Sequence, residues 1–156
     1  MTFLQGVLVD RDKWSPIGEC SIEKTMTVLG TKSAMLIMRE AYYGTTRFDD
    51  FWRRVGVTKA AAAARLSELV DAGLLERRPY QEPGQRSRDE YVLTEAGVDF
   101  MPVVWAMFEW GRRHLPNRST LRLAHADCGA EATVEIRCEK GHLVAPDELI
   151  VRSVRS

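Results

Sequence analysis

The segment between residues 57 and 94 constrains the fold of this chain more than any other part. Thr58 is a typical helix N-cap, and Gly73 is placed to end the helix that it begins. Between them, apolar side chains recur at helical spacing in an alanine-rich run: Ala62, Leu66, Leu69 and Val70. This pattern predicts one amphipathic helix with a narrow buried face.

Two β-like runs follow this helix, at residues 74–80 and 90–94, and the loop between them is rich in glycine, proline and arginine. Helix, strand, basic turn and strand in this order predict a winged helix. In that fold the helix enters the major groove of DNA and the wing lies along the backbone. The wing contains Arg77, Arg78, Arg86 and Arg88. Taken alone, such a cluster can equally be an ordinary solvated surface.

Three further helices are predicted before this segment, over residues 22–29, 31–43 and 48–55. Gly56 provides a tight turn between the third of them and the helix that starts after Thr58. These two helices therefore form a helix-turn-helix pair. Residues 45–47 form an extended connector that can pair with the wing strands.

A long aromatic helix is predicted after the wing, beginning at the N-cap Thr94. Pro102 is expected to kink this helix or divide it in two. Its many aromatic and methionine side chains either complete the core or form a subunit interface. We favour the interface, because one small domain cannot easily cover so many of them. The predicted dimer contacts are Trp14, Val104, Trp105, Phe108 and Trp110.

The chain after residue 116 changes to short β-like runs, at 121–124, 132–137 and 149–154. This tail contains two Cys/His pairs beside glycines, His125 with Cys128 and Cys138 with His142. Two such pairs on neighbouring turns can close a tetrahedral zinc site, with Zn–S distances near ~2.3 Å. The alternative is a plain β-hairpin appendage in which Cys128 contacts Cys138. Neither interpretation requires a cofactor for the rest of the chain.

The predicted fold class is therefore α+β, a winged helix-turn-helix with a long C-terminal dimerisation helix and a small β-rich C-terminal appendage. We predict an N-terminal arm at 1–19, a winged-helix domain at 20–115 and an appendage at 116–156, zinc-ribbon-like if it binds metal. The length of 156 residues suits one domain with an appendage.

Composition excludes several functions. Net charge is zero, so bulk charge gives no support for nucleic-acid binding, and only its placement in the wing does. No run approaches the ~20 apolar residues of a membrane span, and the N-terminus lacks a signal-peptide core. We therefore expect a cytoplasmic protein without a membrane partner. No glycine-rich phosphate loop or nucleophile elbow is present, so an enzyme is not expected.

The chain resembles the HxlR-type winged-helix transcriptional regulators, relatives of the broader MarR-like group, from about residue 20 to residue 114. The resemblance rests on an ordered set of segments: Cys20, 29–32, 36–40, Gly44, 47–48, 65–69, 73–74, 91–97, Pro102 and 110–111. It implies a dimeric DNA-binding regulator, often tied to redox, electrophile or metabolite stress. The expected partners are double-stranded DNA, a second copy of the chain and an oxidant or small-molecule effector. We expect repression, because a dimer on an operator blocks polymerase by occupancy.

The side chains expected to contact DNA are Arg47, Thr58, Lys59, Arg65, Ser67, Gln85, Arg86 and Arg88. The chain departs from the family at Ser33, where tryptophan is common, and at four positions where polar residues are usual: Ala60, Ala61, Ala63 and Ala64. Alanine can only touch a thymine methyl group or let the helix come closer. Helix propensity alone also explains the alanines. The alternative function is therefore a winged-helix protein-interaction module with little specific DNA binding.

Two features are candidates for sensing a signal. Cys20 lies at a predicted helix N-terminus, which favours the reactive thiolate, and some family members sense oxidants through a cysteine at this place. Its alternative role is that of a small buried apolar residue. A ligand cavity between the dimer helices, under Trp105, Met107 and Phe108, is the second candidate.

Overall fold

The computed structural model of the protein describes residues 3–15, 18, 20–81, 83–84, 86–116 and 119–153. A short 3-10 turn, Gly6–Val9, comes first. The elements that follow are α1 (Ser21–Leu29), α2 (Lys32–Tyr42), α3 (Phe48–Val55), α4 (Lys59–Asp71), β1 (Leu75–Tyr80), β2 (Arg88–Leu93), α5 (Glu95–Asp99) and α6 (Met101–His114). The predicted helices α1 to α4 are confirmed almost to the residue. Among the residues that the structure describes, no helix combines the length and the apolar character that a membrane span needs.

Helix α2 is the centre of the core, because it packs against α1, α3, α4, α6 and β2. Its Ile37 and Met38 are fully buried, and Phe51 of α3 and Leu66 and Leu69 of α4 are buried with them. Burying an apolar side chain of this size contributes about 1.5–3 kcal/mol. Shared burial therefore fixes α3 and α4 in one relative orientation, as a helix-turn-helix pair requires.

The wing is an antiparallel pair in which Leu75 lies opposite Leu93 and Tyr80 lies opposite Arg88. Strand β2 therefore starts at Arg88, whereas the sequence predicted a start at Glu90. The difference arises because cross-strand pairing extends the ladder through polar residues that show no apolar alternation.

The connector between α2 and α3 pairs with the base of the wing, as predicted. The Tyr91 N–H donates to the Thr46 carbonyl at 2.8 Å, and Arg47 and Glu90 form an isolated antiparallel bridge. The wing is thereby attached to the helix-turn-helix at its base.

The predicted division of the long helix is confirmed, with a break at Phe100 between α5 and α6. Pro102 lies in the first turn of α6, where its missing N–H costs no helical hydrogen bond. Thr94 caps α5 by accepting a hydrogen bond from the Gly97 N–H at 3.1 Å. The Tyr42 hydroxyl donates to the Gly97 carbonyl at 2.6 Å, and burial raises the pKa of Tyr42 to about 12. This contact fixes α5 on α2.

The predicted β-rich character of the tail is wrong for its described residues, which form turns and single bridges but no strand. The bridges are Ala124 with Glu131, Arg137 with Leu143, and Leu4 of the N-terminal arm with Val151. A stable sheet needs a face that can be buried, and none of the described residues in 119–153 is buried. The β-like runs therefore pair at one position each.

Candidate nucleic-acid interface

Helix α4 has one buried face and one exposed face, and both follow from its sequence. The Thr58 hydroxyl accepts a hydrogen bond from the Ala61 N–H at 3.1 Å, which confirms Thr58 as the N-cap. Ala62, Leu66 and Leu69 are fully buried. The opposite face consists of exposed alanines: Ala60, Ala61, Ala63 and Ala64. The helix therefore presents a smooth surface of methyl groups to solvent.

Two of the polar side chains predicted to read DNA from α4, Arg65 and Lys59, already have charged partners within the protein. Arg65 forms an ion pair with Glu68 at 2.5 Å, one turn further along the helix. Lys59 Nζ lies 3.9 Å from the Asp49 carboxylate and 5.2 Å from the centre of the Trp52 ring. Thr58 is exposed and Ser67 is half-buried.

Asp49 of α3 connects the two helices of the helix-turn-helix, and the sequence did not indicate this role. Trp52 Nε1 donates to its carboxylate at 3.0 Å. That hydrogen bond, with the positive charges of Lys59, Arg53 and Arg88, holds the pKa of Asp49 below its ordinary value. An ionised Asp49 therefore attracts the Lys59 side chain, at the start of α4, towards α3.

The wing places four arginines in different surroundings. Arg78 forms an ion pair with Glu76 at 2.5 Å, and the Arg77 guanidinium lies 5.8 Å from the centre of the Tyr91 ring. Arg86 and Arg88 are exposed near the tip. Gln85, also predicted to contact DNA, lies outside the described residues.

Arg47 lies at the base of the wing, half-buried. Its guanidinium carbon lies 3.1 Å from the centre of the Tyr80 ring, in a cation–π contact. Together with the bridge to Glu90, this contact ties the last residue of β1 to the start of α3. Arg47 therefore holds the wing against the helix-turn-helix. This structural role is separate from the predicted contact of Arg47 with DNA.

Helix α6 has an exposed apolar stripe at i, i+4 and i+7, formed by Val103, Met107 and Trp110. Helix α1 adds Ile22, which is 74% exposed, and Met26. Trp110 was among the predicted dimer contacts, whereas Val103 and Met107, which share this exposed face, were not. Their spacing in the sequence was sufficient to identify them as one face.

The other predicted dimer contacts face into the protomer. Val104 is buried, and Trp105 packs against two tyrosines at the C-terminal end of α2 at ring-centroid distances of 5.9 Å. Phe108 is half-buried and lies edge-on to Trp105. Trp14 is held in the N-terminal arm, where its Nε1 donates to the Leu8 carbonyl at 2.8 Å.

The three cysteines are free thiols. Cys20 is the half-buried N-cap residue of α1, and its side chain makes no capping hydrogen bond. In the tail, His125 Nδ1 and Cys128 Sγ lie 3.3 Å apart, whereas Cys138 and His142 are joined through their backbones. Within the described ranges no three His, Cys, Asp or Glu side chains are gathered to hold a metal ion. The structure thus assembles one of the two predicted pairs, and zinc binding stays a prediction.

A helix-turn-helix whose two helices pack on a common core, followed by a two-stranded wing, defines the class of winged helix-turn-helix proteins. Within this class, the chain belongs to the HxlR-like helix-turn-helix family, whose model matches residues 28–119, more than half of the chain. The predicted resemblance is thereby confirmed. The chain is a transcriptional regulator with a helix-turn-helix DNA-binding domain.

Individual relatives agree with this assignment. An uncharacterized HTH-type transcriptional regulator of Mycobacterium tuberculosis strain H37Rv is 33% identical over 120 residues, which cover 76% of this chain and 75% of the relative. The crystal structure of PA1607, a candidate transcription factor, matches with a TM-score of 0.76 and 30% identity over 90% of this chain and 98% of that one. The redox regulator HypR in its reduced form matches with a TM-score of 0.54 and 30% identity, over 60% of this chain and 92% of HypR.

Proposed function

We propose that this regulator is a homodimeric repressor that occupies an operator with helix α4 and the wing. The observation that carries the proposal is the convergence of cations around Asp49. Lys59 Nζ of α4 lies 3.9 Å from that carboxylate, Arg53 Nε of α3 donates to the Asp49 carbonyl at 2.9 Å, and Arg88 of the wing lines the same surface cavity as Asp49. Positive charge from helix-turn-helix and wing therefore lies on one surface, as contact with a DNA backbone requires.

In this proposal the exposed alanines of α4 let the helix approach the floor of the major groove closely. An alanine methyl group can contact the methyl group of thymine but cannot hydrogen-bond a base edge. Hydrogen-bonded readout then depends on Thr58, Lys59 and Arg65, the last two after leaving their carboxylate partners. The remaining specificity comes from DNA shape and deformability.

The exposed stripe of α6, together with the apolar residues of α1, is the proposed dimer interface. Large apolar side chains in contiguous patches are rare on monomers, and a second copy of the chain covers them by two-fold symmetry. A symmetric dimer also places two α4 helices about one turn of DNA apart, which suits a palindromic operator.

Fluorescence anisotropy with DNA from immediately upstream of the protein's own gene, compared with scrambled DNA across a salt series, tests the proposal. We expect tighter binding to the upstream DNA and a steep loss of affinity with salt, because phosphate contacts release counterions. Equal weak binding to both DNAs would contradict it. That outcome would favour the alternative, a winged-helix protein-interaction module that uses the alanine face of α4.

We expect Arg86→Ala and Arg88→Ala each to weaken binding to upstream and scrambled DNA alike, by several-fold. The slope of log affinity against log salt should become shallower by about 0.9 for each phosphate that the variant no longer neutralises. Arg78→Ala is the matched control, since Arg78 lies in the same wing but is paired with Glu76. If Arg86→Ala and Arg88→Ala kept full affinity and slope, the wing would not contact DNA.

The proposed effector is an oxidant acting at Cys20, supported by the similarity to a redox regulator. The Cys20 thiolate attacks a peroxide oxygen, the O–O bond breaks, and sulfenic acid and hydroxide form. We expect mild hydrogen peroxide to weaken operator binding by about tenfold in the wild type, an ordinary allosteric effect, and to leave Cys20→Ser unaffected. Ser21→Ala, beside Cys20 at the start of α1, is the control and should respond like the wild type. A Cys20→Ser protein that still loses affinity would exclude Cys20 as the sensor.

A small apolar molecule is the second proposed effector. A cavity of about 200 Å³ lies within the protomer between α2 and α6, and its lining includes Trp105, Met107 and Phe108. The sequence predicted a cavity under the same three side chains, but between the helices of two subunits. A ligand there would separate α6 from α2 and so change the spacing of the two reader helices in the dimer. Quenching of Trp105 fluorescence would report its binding.

A further inference from the structure

The tail is held together by something other than a hydrophobic core. None of the described residues between 119 and 153 is buried, and none belongs to the core cluster. Its large apolar side chains are about half exposed, among them Leu121, Ile136 and Leu143. Units below about 40 residues rarely fold without a disulfide, a metal ion or a partner chain. All three cysteines are free, so a disulfide does not supply the missing constraint.

The tail contains two consecutive turns with the same construction, each closed by a single bridge. The Ala124–Glu131 bridge closes the first, and the Arg137–Leu143 bridge closes the second. Each turn contains a glycine with positive φ, at 69° for Gly129 and 80° for Gly141. The Gly129 N–H donates to the His125 carbonyl at 2.9 Å, and the Gly141 N–H donates to the Cys138 carbonyl at 2.8 Å.

Each turn presents one imidazole and one thiol, and the first turn has already brought them together. His125 Nδ1 and Cys128 Sγ lie 3.3 Å apart. Two ligands of a tetrahedral zinc ion, at about 2.3 Å for sulfur and 2.0 Å for nitrogen, lie roughly 3.5 Å from each other. His125 Nε2 faces the Asp127 carboxylate at 3.9 Å. Metal-bound histidines commonly direct their second nitrogen to a carboxylate, which orients the ring.

We propose that the tail binds one Zn²⁺ through His125, Cys128, Cys138 and His142. The first turn provides a pair already at ligand spacing, and the second turn brings its own pair to the same ion when zinc binds. Two thiolates and two imidazoles form one of the standard donor sets of structural zinc sites. Zinc coordination then stabilises the fold of the tail in place of a hydrophobic core and holds the two turns together. This site is independent of DNA binding, so either proposal can fail without the other.

Metal analysis of the purified full-length protein tests the site. We expect about one zinc per chain in the wild type, as in other four-ligand structural sites. Cys128→Ser and Cys138→Ser should each lose most of it, whereas Cys20→Ser, outside the tail, should retain it. A wild type without zinc, or full zinc in Cys138→Ser, would overturn the proposal.

Limited proteolysis of the wild type gives a second measurement that does not depend on the folding of a variant. We expect a strong chelator to expose the tail to cleavage while the winged helix stays resistant, and added Zn²⁺ to restore protection. Cobalt in place of zinc should give the absorption bands of a tetrahedral thiolate site. A tail that is equally resistant with and without chelator, and without cobalt bands, would show that another contact holds it.

Discussion

Replacing Ala61 by glutamate is expected to lower operator affinity by at least about 100-fold, because juxtaposed like charges cost several kcal/mol at an interface. Ala61 is exposed in the first turn of α4, and the N-terminal residues of a reader helix are the ones that approach the bases. A carboxylate there faces the phosphates and the acceptor-rich edges of the major groove.

The same substitution should leave the fold at least as stable as the wild type, which separates binding from folding. Thr58 already accepts a hydrogen bond from the Ala61 N–H. Glutamate at position 61 completes a capping box with Thr58 and places a negative charge at the positive end of the helix. This contributes about 0.5 kcal/mol. Thermal unfolding and anisotropy on the same protein therefore should change in opposite directions.

Ala61→Gln is the matched control, because glutamine has the same size and capping ability without the charge. We expect it to retain much more affinity than Ala61→Glu. If glutamate and glutamine weaken binding equally, the loss is steric. If neither has any effect, α4 does not enter the groove, and the interaction-module alternative gains support.

The helix-turn-helix could be predicted because its signals are local. Thr58, Gly56 and the apolar spacing of α4 each act within one turn of helix, so the chain alone specifies the element bounds. The division at Pro102 was predictable for the same reason, since proline has a strong positional preference within a helix.

Contacts between distant segments could not be predicted. Nothing in the sequence indicated that Asp49 would hold Lys59, or that Arg47 would stack on Tyr80 across the wing. Such contacts depend on how separate elements pack against each other. No periodic pattern of residues in the sequence indicates them. The tail was mispredicted for a related reason, because its β-like runs have high strand propensity but no face on which to pack.

The second large effect is expected at the apolar stripe of α6. Met107 is 53% exposed at its centre, between Val103 and Trp110. In a symmetric dimer Met107→Glu places two carboxylates in an apolar interface, which should dissociate the dimer. Because a monomer engages only one half-site, operator affinity should then fall by at least about 100-fold. Sedimentation velocity and anisotropy together measure both changes.

Val98→Glu is the matched control for this substitution. The exposed fraction of the Val98 side chain is 48%, similar to that of Met107, but Val98 belongs to α5 and not to the stripe. It should therefore leave the dimer and its affinity intact, since a charge on an exposed surface away from an interface has little effect. A monomeric wild type would remove the dimer from the proposed function. A Met107→Glu protein that stays dimeric and binds normally would instead place the interface on another face, with the exposed residues of α1 the next to be tested.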